Sequence, residues 1–303
     1  MNEAETGGVN APLDCKTGYV ALVGEPNVGK STLMNRFLEE RIAIVTAKPQ
    51  TTRRKTLGIL NGPGYQMILL DTPGIMEPRY GLHRAMIKEA EDALAESDVV
   101  LYLVEPAPPK EVLPAIRAAR GKKVLAINKT DAVSRKAELL PILTAYHDSG
   151  LFEELVPISA LTGEGVTELL QVLVRLLPNG IPFYPPDQIA AQPERFFVAE
   201  LVRERIFERY REEIPYATEV EIEEFKERAA GKDFIEANIL VENESQKGIL
   251  IGKSGAAIKE LGADARAAVE AFLGREVFLS LRVKVVPKWR RRDDALRRLG
   301  YHG

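Results

Sequence analysis

A short apolar run at 19–23 stops at Gly24-Glu25-Pro26-Asn27-Val28-Gly29-Lys30-Ser31, and a helical pattern takes over at 31–37. A Gly-x-x-x-x-Gly-Lys-Ser string between a strand and a helix aims successive backbone N–H groups and a helix N-terminus at one point. It therefore dictates a βα unit and a phosphate site together. In such a unit Lys30 reaches the β and γ phosphates of a nucleoside triphosphate, the Ser31 hydroxyl can ligate Mg²⁺, and Thr32 follows on the helix.

Buried-strand runs at 67–70, 99–104, 124–127 and 156–158 alternate with helical stretches at 82–95 and 109–120. Alternation of this kind predicts a mostly parallel, six-stranded α/β sheet with helices on both faces. The turn residues Asn61-Gly62-Pro63-Gly64 split 57–70 into an antiparallel hairpin at one edge. Residues 1–17 lack periodicity and read as a loose arm, so this first domain is expected over 18–178.

Three further motifs fall at predicted strand ends. In Asp71-Thr72-Pro73-Gly74 a carboxylate can hold Mg²⁺ through water, and the Gly74 N–H can meet a γ-phosphate. In Asn128-Lys129-Thr130-Asp131, Asp131 can accept paired hydrogen bonds from the guanine N1–H and exocyclic amine, which adenine does not offer. Asn128 and the Lys129 stem would brace the phosphate loop and cover the ring. Ser159-Ala160-Leu161 adds a backbone N–H at Ala160 suited to guanine O6. Together these motifs predict a guanine-nucleotide site.

Thr51 and Thr52 lie in the loop before the hairpin, where a threonine can ligate Mg²⁺ in the triphosphate state; Thr52 is the preferred ligand and Thr51 the alternative. Lys30, Asn27, Thr52 and Gly74 are the expected catalytic set. Ile75 occupies the position after Gly74 where many such sites carry a water-orienting Gln. Positive charge must then come from elsewhere, and Asn27 reads either as a ligand for K⁺ or as a permissive turn residue.

With 303 residues, 45% hydrophobic and 28% charged, the chain can build two cores. Its apolar runs are far too short to span a bilayer and none follows Met1, so neither a span nor a cleaved signal is expected. One cysteine, Cys15, and three scattered histidines leave no disulfide and no Cys-based zinc site. The net charge of -3 hides a basic end: from 282 to 303 there are eight cations and two acids. That end should attract polyanions.

Prolines punctuate the segment after 178, so 179–192 reads as a linker and 193–303 as a second, α+β domain. Its pattern is a helix at 195–211, strands at 218–225 and 234–241, a Gly-rich junction, a helix at 257–273 and a strand at 277–286. Within it, a strand-like run at 248–251 meets Gly252-Lys253-Ser254-Gly255 and then a helix. This resembles the GXXG loop of a type II KH domain, in which glycines admit a nucleic-acid backbone and Lys253 contacts phosphate. Ile249, Ile251 and Ile258 read as base-facing or as core. Lys288-Trp289-Arg290-Arg291 interleaves an aromatic with cations, able to stack a base and neutralise phosphate, or else to cap the last strand.

With both halves in view, the chain resembles the Era family of bacterial ribosome-assembly GTPases over essentially everything after residue 17. The resemblance is carried by 24–31, 48–53, 71–74, 128–131, 159–165, 193–225 and 245–258. It implies a monomeric, cytoplasmic GTPase, partly peripheral on the inner membrane face. Such a protein binds the 3′ end of 16S rRNA through its KH domain and assists 30S maturation, with Mg²⁺ as cofactor. Ser254 and Leu82-His83 depart from residues common in the family. Related GTPases of the Der or MnmE type fit less well, having respectively two phosphate loops and a C-terminal cysteine. A mainly RNA-binding scaffold with weak hydrolysis is the other alternative.

Overall fold

The computed structural model describes residues 15–46 and 48–301. β1 (Lys16–Gly24), β2 (Thr56–Gly62), β3 (Tyr65–Asp71), β4 (Val99–Val104), β5 (Lys122–Ile127) and β6 (Glu154–Pro157) form one six-stranded sheet in the order β2-β3-β1-β4-β5-β6. Every pairing is parallel except β2 with β3, the expected edge hairpin. Alternate residues of β1 serve two cores, as strand geometry requires. Val20 and Leu22 pack under α1 (Lys30–Leu38) and α5 (Val166–Leu176). Ala21 and Val23 pack under α2 (Gly81–Glu96), α3 (Pro114–Ala118) and α4 (Leu139–Asp148).

Several boundaries differ from the expectation. β1 begins at Lys16, whose N–H donates to Gly64 O at 2.8 Å, so residues 16 and 17 belong to the sheet. The rest of the expected arm, through residue 14, lies outside the described residues. The helix expected over 109–120 shrinks to α3, which starts where Pro114 can occupy the first helical turn. The Pro-rich 179–192 segment is strapped to the sheet: Ile59 N donates to Ile189 O at 2.9 Å, and Phe183 stacks on Tyr19 at 5.4 Å. Gln66 fastens it further, accepting from Phe183 N at 2.6 Å and donating to Tyr184 O at 2.8 Å.

The second half runs α6 (Glu194–Arg209), α7 (Ile214–Ala217), β7 (Glu219–Lys226), β8 (Asp233–Val241), α8 (Glu244–Ile251), α9 (Ala256–Leu273), β9 (Val277–Val285) and α10 (Asp293–Arg298). β7 pairs antiparallel and β9 parallel to the central β8. Val202 and Ile206 of α6, Leu250 of α8 and Leu261 and Ala265 of α9 bury one face of this sheet. Residues 248–251 are thus helix, not strand. Asn243 Oδ1 caps α8 by accepting from Gln246 N at 2.9 Å, and Gln246 Oε1 accepts from Glu242 N at 2.8 Å. Among the described residues no helix is long and apolar enough to cross a membrane.

Candidate functional site

Strands β1, β3, β5 and β6 end on the same side of the sheet, and the predicted motifs follow them directly, which is where open parallel sheets bind ligands. A cavity there is lined by Pro26, Asn27, Gly29, Lys30, Ser31, Thr32 and Gly74, and faces Ile44, Val45, Thr46 and 50–52. Asn27 has φ 63, so it is a left-handed turn residue whatever else it holds. Val28 is buried. Glu25 points away, ion-paired with Lys110 at 2.8 Å.

Lys30 is buried and its Nζ donates to Gly24 O at 3.3 Å and Glu25 O at 3.0 Å. Burial lowers this ammonium from an ordinary 10.5 to about 8, with the Asp71 carboxylate opposing. Phosphate binds the protonated form, so nucleotide affinity should hold below pH 8 and fall above it, approaching about tenfold per pH unit. Titrating GDP affinity from pH 7 to pH 9.5 checks this. A flat profile would show that Lys30 stays charged throughout.

Ser31 Oγ donates to Asp71 Oδ2 at 2.6 Å, Thr52 Oγ1 donates to the same oxygen at 3.1 Å, and the two hydroxyls lie 3.0 Å apart. Thr51 turns elsewhere, its hydroxyl donating to Lys48 O at 2.8 Å. Of the two candidate threonines, Thr52 is the one brought to the carboxylate. Asp71 is fully buried, its Oδ1 has no partner among the described residues, and burial pushes its carboxyl up against the pull of Lys30, Ser31 and Thr52. Two hydroxyls and a buried carboxylate with an idle oxygen are the hard donor set that Mg²⁺ takes. No group of three His, Cys, Asp or Glu side chains among the described residues offers a rival site.

Thr72 donates to Leu22 O at 2.7 Å, which ties the end of β3 to β1, and Pro73 is buried beside it. Gly74 has no space for a side chain, because a Cβ would stand 2.6 Å from Pro26 N. Ile75 is a half-buried aliphatic side chain packed against the core, so the position offers no polar group to an attacking water.

At the base-binding end, Asn128 Nδ2 donates to Val28 O at 2.7 Å, the brace that was expected. Asp131 Oδ1 accepts from Ser159 Oγ at 2.5 Å, which fixes the carboxylate. Lys129 ion-pairs with Glu105. The Ala160 N–H differs from expectation: it donates to Asn128 Oδ1 at 2.8 Å, so a guanine O6 would have to compete for it. Leu161 is exposed and its carbonyl accepts from Arg36.

The Gly252-Lys253-Ser254-Gly255 loop joins α8 to α9, with Lys253 and Ser254 exposed. Gly252 takes φ 71 and a Cβ there would meet Ala257 Cβ at 2.6 Å, so glycine is required. Ile249 is 48% exposed beside the loop, whereas Ile251 and Ile258 are half-buried. Sequence reading missed the groove running on from the loop, lined by Ile258, Lys259, Gly262 and Arg266 of α9 and by Phe278 and Leu281 of β9. Alternation in β9 was the available signal, since Phe278 breaks it by exposing an aromatic ring, stacked on Phe234 at 5.7 Å.

Trp289 corrects the reading of the basic tail. Its ring is fully buried among Leu82, Met86 and Leu296, and Nε1 donates to Ala217 O at 2.9 Å, so it cannot stack a base in this arrangement. Arg290 is likewise committed, paired with Glu242 and lying 5.1 Å from the Tyr80 ring centroid. Lys288 and Arg291 stay exposed.

Residues 19–130 match the family described as 50S ribosome-binding GTPase, and residues 213–290 match the KH domain. A GTPase Era from Geobacter metallireducens is 44% identical over 292 residues, covering 94% of this chain and 98% of that protein. A chloroplastic ERA-like GTPase from Arabidopsis thaliana is 44% identical over 296 residues, 95% of this chain and 69% of that protein. Among solved structures, an Aquifex aeolicus Era variant bound to GDP·AlF4⁻ superposes with a TM-score of 0.91 at 40% identity, over 95% of this chain and 100% of that one. The same figures hold for Era in complex with MgGDPNP and nucleotides 1506–1542 of 16S ribosomal RNA.

Proposed function

The chain belongs to the Era family of GTPases, and on that premise we propose that it binds the 3′ end of 16S rRNA through its KH domain and assists 30S maturation. The observation that carries the reading is the exposed Gly252–Gly255 loop opening onto the α9/β9 groove, in the same chain as the guanine-nucleotide site. A loop of this kind clamps about four nucleotides of a single strand. Lys253, Ser254 and Ile249 line the entry, with Lys288 and Arg291 as outlying phosphate contacts.

Ser31 and Thr52 would hold Mg²⁺ directly and Asp71 through water. The ion neutralises charge on the β and γ phosphates when bound. Lys30 exchanges its two carbonyl partners for phosphate oxygens, and the Gly74 N–H meets the γ-phosphate. Asn27 lines the cavity beside Gly74, where its carboxamide oxygen can hold K⁺ at the point where an arginine would otherwise supply charge. Peripheral attachment to the cytoplasmic side of the inner membrane and a monomeric state belong to the same reading.

GTP turnover with and without an RNA of the 16S 3′ end, in KCl against NaCl, tests it. RNA should raise the wild-type rate several-fold or more, and K⁺ should raise it by on the order of 10²-fold, the size of one added transition-state charge. Asn27→Ala should lose the K⁺ response and keep the RNA response. Rates indifferent to RNA would favour a scaffold over a switch.

A further inference from the structure

Thr52 sits in a segment held from the other half of the chain at Lys48, Thr51, Arg53 and Arg54. Lys48 Nζ donates to Phe207 O and Tyr210 O at the end of α6. Arg53 is fully buried and donates to Thr218 O at 2.6 Å, Glu219 Oε2 at 2.9 Å and Pro215 O at 2.9 Å. Arg54 donates to Leu299 O and lies 4.5 Å from the Tyr301 ring centroid. On the other side of Thr52, the carbonyl of Thr51 accepts from Arg203 Nη2 at 2.5 Å.

Arg203 lies inside α6 with no solvent exposure. Its Nε donates to Glu200 Oε1 at 2.9 Å, its Nη1 has no partner among the described residues, and the guanidinium stands 5.5 Å from the Phe207 ring centroid. Burying a guanidinium costs heavily unless its hydrogen bonds are well placed. The bond it makes beyond its own helix runs to a backbone oxygen one peptide away from a candidate metal ligand. That peptide is planar, so fixing Thr51 O fixes the plane from which the Thr52 backbone departs.

We infer that Arg203 is a positioning residue for GTP hydrolysis, holding the Thr51–Thr52 peptide so that the Thr52 hydroxyl meets the cation site at Ser31 and Asp71. The inference rests on the reading that Thr52 ligates Mg²⁺. Arg53 anchors the far side of the same residue, so Thr52 hangs between two buried arginine contacts. The hydrolytic site is then completed by a helix of the KH half. A guanidinium that merely glued two surfaces together would affect stability alike whatever stood at position 52.

The test is single-turnover GTP hydrolysis by the full chain as a function of Mg²⁺ concentration, with GDP affinity measured alongside. Arg203→Gln should raise the Mg²⁺ needed for half-maximal rate about tenfold, the size of one lost charge-assisted hydrogen bond. Arg203→Lys should recover part of the shift. GDP affinity should stay near wild type, since GDP has no γ-phosphate to recruit Thr52. In a Thr52→Ala background the same change should add less than about twofold, the mark of two residues acting through one contact. An equal shift in both backgrounds, or none in either, overturns the inference. If Arg203→Gln fails to bind GDP through misfolding, Arg203→Lys carries the same comparison with the same two outcomes. Thr52→Ala with wild-type Mg²⁺ dependence would instead overturn the metal-ligand reading beneath it.

Discussion

Asp131→Asn is expected to weaken GTP binding by on the order of 10³-fold or more, because a site whose polar groups pair with the base rejects a mismatched partner strongly. The carboxylate is held by Ser159 Oγ at 2.5 Å and offers acceptors alone. An amide in its place turns a donor toward the donor edge of guanine. Xanthosine triphosphate, which carries a carbonyl where guanine has its amine, should be the nucleotide least harmed. Competition of GTP, XTP and ATP against a fluorescent GDP checks this. An unchanged preference order would remove Asp131 from base recognition.

Gly74→Ala should lower single-turnover hydrolysis by about 10²-fold, the usual cost of a lost transition-state donor. An added Cβ would stand 2.6 Å from Pro26 N and 2.7 Å from Pro26 Cα, backbone atoms that cannot swing aside. The phosphate loop and the 71–74 turn must then separate, which carries the Gly74 N–H away from the γ-phosphate. GDP should bind far less altered, since it has nothing at that position. Equal losses for GDP and GTP would mean that the substitution damages the whole loop.

The phosphate and base motifs were legible because each is a contiguous string whose work is done by local backbone and by the end of one strand. Gly24 to Ser31, Asp71 and Asn128 to Asp131 all land where the strand pattern placed them. What escaped was decided by tertiary partners. Trp289 beside three arginines reads as a surface stacker, and only the packing of α2 and α10 around it makes it core. Nothing in the sequence singled out Arg53 or Arg203, yet both are buried at the junction of the two halves. Ile249-Leu250-Ile251 has the β-branched character of a strand, but the Asn243 and Gln246 caps start a helix ahead of it. Ala160 carries no signal that its N–H would find Asn128 first.

One chain joins a guanine-nucleotide switch to an RNA-gripping loop, and one binding isotherm tests that join. The labelled RNA spans nucleotides 1506–1542 of 16S rRNA, titrated with the chain loaded with Mg²⁺ and a non-hydrolysable GTP analogue. Wild type should bind it and discriminate against a shuffled RNA of equal length. Lys253→Asp combined with Ser254→Asp should bind about 10²-fold more weakly, since two charges would face the backbone that the loop clamps. Equal affinity for both proteins, or for both RNAs, would contradict the account.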